Sequence, residues 1–535
     1  RRTNSFTATF MLIPDRVLNR LKINSFFGLN HCHLTTLTII LFMVFPVWIP
    51  FESEWTTFAI FLLSIFGLVG LSEITLKREI ISPESNRKLV HFLVGISVSI
   101  SPLIFTSSIP PLTLSALFIL VNALALKKGS FQGIHNQNRI SYGTVYFPVS
   151  TFVIFLCFWN FPEFIIISLI ILSISDPLAS QVGQSTPGPS KFKIWNDEKT
   201  IQGTIAFFMS TFLIVYFGSQ TFFDHSNNYL FGLALFTAIG ATLAEVTSSK
   251  GTDNLSIPLV SILFMIGYFR HVSELGTFFD LTISSSSIFL FLTILLFSVA
   301  YQLHSLSRSG YYGGLILGTL ITIIGSWKLL IPLAVFFILS SVLSKVIKNT
   351  SFYRSKGSRR DIVQVYANGG VALIICIHGY LNPNALNIFL FFASVSAAMA
   401  DTWATEIGKL SKHQPRSIIG FESMAHGLSG GITRTGTLGS LLGACIIGLT
   451  VWTIFPMSGF IIYGIIFSGF FASIFDSVLG ATVQAKYETQ KGEIIEHPEE
   501  GATLISGNRW INNDMVNLLN TAFAPFLMYF YLKLF

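Results

Sequence analysis

Apolar runs, separated by short polar and mostly basic loops, recur from about residue 34 to the end of the chain. Seventeen segments follow from this pattern: 34–50, 56–72, 91–106, 112–126, 145–159, 163–180, 202–218, 229–247, 256–268, 283–300, 311–325, 329–344, 367–379, 385–400, 436–454, 459–481 and 515–532. In a bilayer every backbone polar group must be satisfied within the segment, so runs of this kind form helices. The pattern predicts an all-α, polytopic helical membrane protein of about 17 apolar segments. Several are near the short limit for a span, and 256–268 is short enough to be re-entrant.

Composition agrees. Charged residues make up 11% of the chain and hydrophobic ones 51%, with a mean hydropathy of +0.65; a soluble domain carries about 25% charged residues. The net charge of +7 therefore reads as membrane orientation, and no nucleic-acid partner is expected. On the alternating loop map all but three of the 33 Lys and Arg residues fall on one side; the exceptions are Arg270, Lys328 and Lys533. The positive-inside rule makes that side cytoplasmic or stromal, in a bacterial inner membrane or a plastid envelope. The loops rich in chemistry share it. A transporter or flippase needs comparable chemistry at the midplane or on both faces, whereas one-sided polarity fits an enzyme with one soluble and one lipid substrate. Cys157, Cys376 and Cys445 lie in apolar runs without CxxC spacing and read as packing residues. His31-Cys32-His33 reads as a loop, since adjacent side chains rarely point at one ion.

One pattern, D-x-x-A-[S/T]-x-x-G, occurs twice: Asp176 to Gly183 and Asp401 to Gly408. On a helix its four defined positions share a face, giving a stripe of one carboxylate and three small residues. The small residues alone would read as helix packing. A carboxylate in the bilayer costs roughly 2.5–3.5 kcal/mol at the centre, less near the interface, and usually marks function. The copies divide the chain into a basic segment, 1–33, and two distantly related membrane halves, 34–304 and 305–535. Each half has a basic loop, the stripe, a second acidic helix end (Glu245, Asp476) and an Asn-containing loop (Asp253-Asn254, Asn512-Asn513).

Cations and helix N-termini bind phosphate, and carboxylates with phosphate oxygens hold Mg²⁺. In the first half the candidates for a nucleotide–Mg²⁺ site are Arg87, Lys88, Arg139, Gly143, Asp176, Lys199, Thr200, Gly203, Glu245, Asp253 and Asn254. In the second they are Lys345, Arg359, Arg360, Gln364, Asn368, Asp401, Glu406, Asp476 and Gln484. Gly430 and Gly431 join them from a Gly-rich loop, 427–437, which offers free backbone N–H groups but is no Walker A. Asn512 and Asn513 either cap the last helix or bond a nucleotide. Cations such as Lys77 and Lys127 read as snorkelling residues that fix topology.

Several blocks carry a resemblance. R-K-L-V-H from Arg87, S-Y-G-T-V-Y-F-P, S-D-P-L-A-S-Q-V-G, K-T-I-Q-G-T and A-E-V-T-S-S-K-G-T-D-N-L resemble the phytol kinase and dolichol kinase family, over about residues 80–270. That family's members are CTP-dependent lipid-alcohol kinases. The Asp and Lys-Thr-x-x-Gly blocks also resemble CTP:phosphatidate cytidylyltransferase, but its long Gly- and Asp-rich C-terminal signature is absent. In the second half, A-D-T-W-A-T-E-I-G, G-L-S-G-G-I-T-R-T-G-T, D-S-V-L-G-A-T-V-Q-A and R-W-I-N-N-D resemble the plant phytyl-phosphate kinase family. Together the resemblances imply a fusion of two kinases. The first would convert a prenyl alcohol, with phytol the leading candidate, to its monophosphate. The second would make the diphosphate, for tocopherol and quinone synthesis. CTP or another NTP would be the donor and Mg²⁺ the cofactor; the other partners are prenyl alcohol, prenyl phosphate and the bilayer. Asp176 and Asp253 would hold Mg²⁺ or orient the nucleotide, with Lys199 and Arg87 or Lys88 on phosphate. Glu245 would take the alcohol proton if it lies near the hydroxyl. Asp401, Glu406 and Asp476 would act through Mg²⁺ in the second half, with Lys345, Arg359 and Arg360 clamping phosphates. A CDP-lipid synthase and a transporter or flippase are the rival readings.

Overall fold

The computed structural model describes residues 53–128, 142–272, 285–350, 359–425, 427–490 and 492–534. Segment 34–50, the basic segment 1–33 with His31-Cys32-His33, and Arg139 lie outside the described residues. Each of the other sixteen apolar segments marks one main helix, except that 91–106 runs across Ile100 into a second, short helix, Ser101–Ile104. In the first half these are α1 (Glu54–Lys77), α2 (Pro83–Ser99), α3 (Ile109–Lys128), α4 (Gly143–Phe158), α5 (Pro162–Ser185), α6 (Ile201–Phe222), α7 (Asn227–Thr247), α8 (Asp253–Val272) and α9 (Ser285–Gln302). The second half holds α10 (Arg308–Leu320), α11 (Trp327–Thr350), α12 (Ile362–Leu381), α13 (Ala385–Gly408), α14 (Arg434–Ile454), α15 (Gly459–Thr482) and α16 (Asn513–Leu534).

The chain is a multi-pass integral membrane protein, but the figure of seventeen segments overstates its spans. Among the described residues ten helices are long and apolar enough to cross a bilayer, and three shorter apolar helices accompany them. The remaining three differ from these: α2 and α10 are shorter, at 17 and 13 residues, and α8 is mostly buried in protein. Segment 256–268, short enough to be re-entrant, lies within one continuous helix whose residues from Ile257 to Phe269 are mostly buried.

Sequence chemistry sets the helix ends. Ser53, Ser82, Thr200, Ser226, Ser307, Asp361, Asn384 and Thr433 each accept a backbone N–H in the first turn of the helix they precede, satisfying donors that the helix leaves orphaned. One π-helical turn, Ile171–Ser175, interrupts α5 just before Asp176, and another, Ile321–Gly325, follows α10.

One apolar core runs through both halves: α8 packs on the π-turn after α10, and α7 packs on α10 itself. Three helices are buried over more than half of their span: α5 at 56%, α7 at 67% and α13 at 61%. These carry Asp176, Glu245 and Asp401; Glu245 is buried and the two repeated aspartates are half-buried. Loops meet at one end of the bundle. The Tyr142 N–H donates to Lys250 O (2.9 Å), the Lys250 N–H to Asp197 Oδ2 (3.0 Å), and the Arg360 N–H to Ser305 O (3.0 Å). Small sheets decorate them: β1 (Lys191–Lys193) pairs antiparallel with β2 (Glu198–Thr200), and β3 (Arg416–Ser417) with β4 (Gly431–Ile432). A three-stranded sheet of β5 (Lys486–Glu488), β6 (Ile494–Ile495) and β7 (Thr503–Ser506) has the order β6-β5-β7.

Candidate functional site

Two carboxylate clusters form, one per half, on a shared local frame. In each half the striped helix leads through a β-hairpin into a threonine that caps the next helix. Thr200 Oγ1 accepts the Gly203 N–H at 3.1 Å and Thr433 Oγ1 accepts the Gly436 N–H at 3.0 Å. The sequence carries this frame twice as T-x-x-G-T, at Thr200 to Thr204 and Thr433 to Thr437, a signal that the stripe alone does not convey. The small residues of the first stripe serve packing. A Cβ on Gly183 would lie 2.5 Å from Thr200 Oγ1, and one on Gly203 would lie 2.8 Å from Ala179 O. The Gly203 N–H is already bonded to Thr200.

In the first cluster the Lys199 ammonium lies 2.6 Å from Glu245 Oε1, with both side chains largely buried. Asp176 interacts electrostatically with Asp253, Lys199, Glu245 and Arg87. Burial alone would lower the Lys199 pKa, but Glu245, Asp253 and Asp176 outweigh it and hold the ammonium above the usual lysine range. Asp253 Oδ1 accepts the Asn254 backbone N–H at 2.9 Å. Among the described residues, Glu245 Oε2, Asn254 Oδ1 and Arg87 Nε are buried without a hydrogen-bond partner, and such orphans are costly unless a ligand or water meets them. Lys88 points elsewhere: its ammonium reaches Gln184 Oε1 at 2.8 Å and Glu84 at 3.5 Å. Gly143 starts α4 and lines the cavity described below.

In the second cluster the Asp401 and Asp476 carboxyls are within hydrogen-bonding reach of each other. Two carboxylates so close repel one another, and a shared cation would relieve that repulsion. Glu496 stands near Asp476 and was not singled out by sequence. Its carboxylate accepts the Ser429 N–H (2.5 Å) and Oγ–H (2.9 Å), so it occupies the Gly-rich loop as an anion would. Gln484 Nε2 donates to Ser429 Oγ at 3.0 Å, while Gln484 Oε1 is buried without a partner. Gly430, at φ +88°, presses on α15, where a Cβ would lie 2.5 Å from the Ala481 nitrogen; Gly431 pairs in the hairpin with Ser417.

The remaining second-half candidates form a separate group. Glu406 pairs with Lys409 at 3.0 Å and faces Arg360, whose guanidinium lies over Phe336 (5.6 Å) and Phe337 (5.7 Å). Burial pulls the Arg360 pKa down to about 10 against the pull of Glu406. Arg359 is exposed and Lys345 half-buried. Gln364 donates its backbone N–H to Asp361, and Asn368 Nδ2 donates to Gln364 O at 2.9 Å. Asn512 caps the last helix by accepting the Met515 N–H at 2.9 Å, and Asn513 is exposed beside it.

A cavity of about 150 Å³ opens beside the first cluster. Its wall is mostly apolar, with Ile65, Val69, Val94, Leu114 and Phe118 but also Ser115, Asn122, Thr144 and Thr151; Arg87, His91 and Asn254 form its charged and polar end towards the cluster. Among the described residues no three Asp, Glu, His or Cys side chains converge as a metal cage. Paired carboxylates with orphaned oxygens nevertheless fit Mg²⁺, which completes its shell with phosphate oxygens and water.

Residues 291–525 match the family described as integral membrane protein DUF92. An uncharacterized membrane protein of Methanocaldococcus jannaschii is 31% identical over 223 residues, 41% of this chain and 91% of that protein. Protein PGR of Arabidopsis thaliana is 27% identical over 267 residues, 43% of this chain and 89% of its own length. A probable chloroplastic phytol kinase 2 of Glycine max is 26% identical over 206 residues, 37% of this chain and 70% of its own. No solved structure matches.

Proposed function

The chain belongs to the integral membrane protein family DUF92 through residues 291–525, and from that premise we propose that it is a membrane phosphotransferase acting on lipid alcohols. In its full form the reading is bifunctional. The first cluster phosphorylates a prenyl alcohol such as phytol, and the second phosphorylates the resulting monophosphate. CTP or another NTP is the donor, with Mg²⁺. The diphosphate would serve tocopherol and quinone synthesis, in a bacterial inner membrane or plastid envelope, with both sites facing the cytoplasm or stroma. Similarity to proteins named as probable phytol kinases supports the lipid-alcohol part.

The observation that carries the reading is the apolar cavity that ends at Arg87, His91 and Asn254, beside the Asp176, Asp253, Glu245 and Lys199 cluster. A lipid tail and a triphosphate need those two environments side by side. Phosphoryl transfer asks for positioning and charge neutralisation more than covalent chemistry. Lys199 and Arg87 would neutralise phosphate oxygens. Asp176 and Asp253 would hold Mg²⁺, which when bound supplies further charge neutralisation. In the second half the nucleophile is already a phosphate anion, so no strong base is needed. Asp401 and Asp476 would hold the metal, and the Ser429–Gly431 loop would receive phosphate in place of Glu496.

The test uses purified full chain with labelled CTP and, separately, phytol or phytyl monophosphate. Asp176→Asn should lose alcohol phosphorylation by roughly 10²-fold or more and keep phosphorylation of the monophosphate; Asp401→Asn should do the reverse. If either variant keeps both activities at the wild-type rate, the two-site assignment fails. Release of pyrophosphate instead of nucleoside diphosphate would mark a CDP-lipid synthase.

A further inference from the structure

We propose that His91 is the residue that receives the lipid hydroxyl in the first half and accepts its proton, and that the cavity behind it takes one hydrocarbon chain. This rests on the lipid-alcohol reading above and adds its base and the shape of its substrate. Glu245, the sequence candidate for the base, does not line the cavity, and one of its oxygens is held by Lys199 at 2.6 Å. His91 does line it.

The ring is oriented by its neighbours. His91 Nε2 lies 3.3 Å from Leu172 O, in the π-helical turn that precedes Asp176. A carbonyl only accepts, so Nε2 carries the proton and Nδ1 keeps the lone pair. Asn254 closes the same polar end; it is 9% exposed, and its Oδ1 has no partner among the described residues. A hydroxyl placed there meets two acceptors, and its proton passes to Nδ1. The oxygen's lone pair forms the bond to the γ-phosphorus of the nucleoside triphosphate. The bond from phosphorus to the bridging oxygen breaks, its electron pair leaves with the nucleoside diphosphate, and the imidazolium returns its proton to solvent. Asp253, on α8, and Arg87, on its own helix, are the charged groups facing the ring; Asp176 and Lys199 in turn interact with Asp253 and Glu245.

The volume restricts the lipid. A cavity of about 150 Å³ is the size that holds one benzene in other proteins. Its enclosed part therefore matches about one isoprene unit next to the hydroxyl, and a single chain would fit there better than the two ester-linked chains that branch beside the hydroxyl of a diacylglycerol.

The experiment has two arms. In the first, a prenyl alcohol bearing a photoreactive group on its first isoprene unit is irradiated with purified full chain, without nucleotide. Labelling at Val94 or Phe118, competed by phytol and not by diacylglycerol, is expected; labelling confined to other parts of the chain, or competition by diacylglycerol, overturns the lipid site. In the second, His91→Gln keeps a donor for Leu172 O but cannot accept and carry a proton. It should lower kcat for alcohol phosphorylation by about 10²-fold with KM for the alcohol within a few-fold, and should abolish the acid limb of the wild-type pH–rate profile. A His91→Gln enzyme with wild-type kcat and an unchanged acid limb overturns the proton-transfer role. Competed labelling at the cavity in a wild-type chain that phosphorylates no alcohol overturns the kinase reading and the proton transfer with it, and leaves the lipid site supported.

Discussion

The two carboxylate clusters share a frame and differ in how their charge is balanced. In the first half the residue before the capping threonine is Lys199, and its ammonium lies against Glu245. In the second half the same position before Thr433 is Ile432. Among the described residues no ammonium enters there; Asp401 and Asp476 face each other, with Glu496 close by. Lys409 pairs with Glu406 at 3.0 Å, and Lys486 donates to the Ser429 carbonyl at 3.1 Å. The first cluster thus holds an ammonium of the chain among its carboxylates, and the second holds none among the described residues. The lesson is that a repeated backbone device can carry opposite electrostatics when a single neighbouring residue changes.

The sharpest way to break this comparison is to remove the lysine. Lys199→Met leaves the Glu245 carboxylate buried without its partner. Breaking a buried pair in this way costs about 3–5 kcal/mol. The expected result is a loss of thermal stability in detergent of several degrees or more, recovered in large part by adding Glu245→Gln. A single variant as stable as the wild type would mean that the ammonium does not balance the first cluster.

Much of the scaffold was legible because apolar runs can hardly do anything but form helices, and every segment within the described residues is helical, 91–106 being broken at Ile100. Which side chains meet was far less legible. Periodicity places Lys88 and Arg87 next to each other, yet Lys88 turns to Gln184 while Arg87 turns to the cavity. Glu496 reaches Ser429 from 67 residues away along the chain, across α14 and α15, and no sequence spacing announces a contact at that separation. His91 stood inside a recognised block, but only the cavity and the Leu172 carbonyl distinguish it from a buried structural histidine. The T-x-x-G-T repeat was readable and is more informative than the stripe, because it encodes a cap and a close helix approach together.

A smaller effect separates the stripes themselves. Gly183 and Gly408 occupy the same motif position. A Cβ on Gly183 would lie 2.5 Å from Thr200 Oγ1, whereas on Gly408 the nearest atom would be Thr433 Oγ1 at an ordinary 3.5 Å. Gly183→Ala must push the capping threonine aside, at a cost of about 1–3 kcal/mol. Gly408→Ala has room, and alanine is the better helix former by roughly 1 kcal/mol, so it should be neutral or slightly stabilising. Equal melting temperatures for the two variants would show that the stripes pack alike.

The capping threonines give the smallest effect and the finest test of the shared frame. Each hydroxyl satisfies one orphaned N–H, at 3.1 Å in the first half and 3.0 Å in the second. Replacement by valine keeps the shape and removes the acceptor, which typically costs about 1 kcal/mol. If the frame is the same device in both halves, Thr200→Val and Thr433→Val should destabilise equally. Their effects on activity should still diverge. Thr200 directly follows the lysine that balances the first cluster, so a loosened cap there shifts Lys199 against Glu245 and slows alcohol phosphorylation. Thr433 follows an isoleucine, and a loosened cap displaces no charge; the second activity should fall only with the folded fraction. Equal losses of both activities per degree of destabilisation would leave the caps as packing alone and remove the lysine as the point where the halves part.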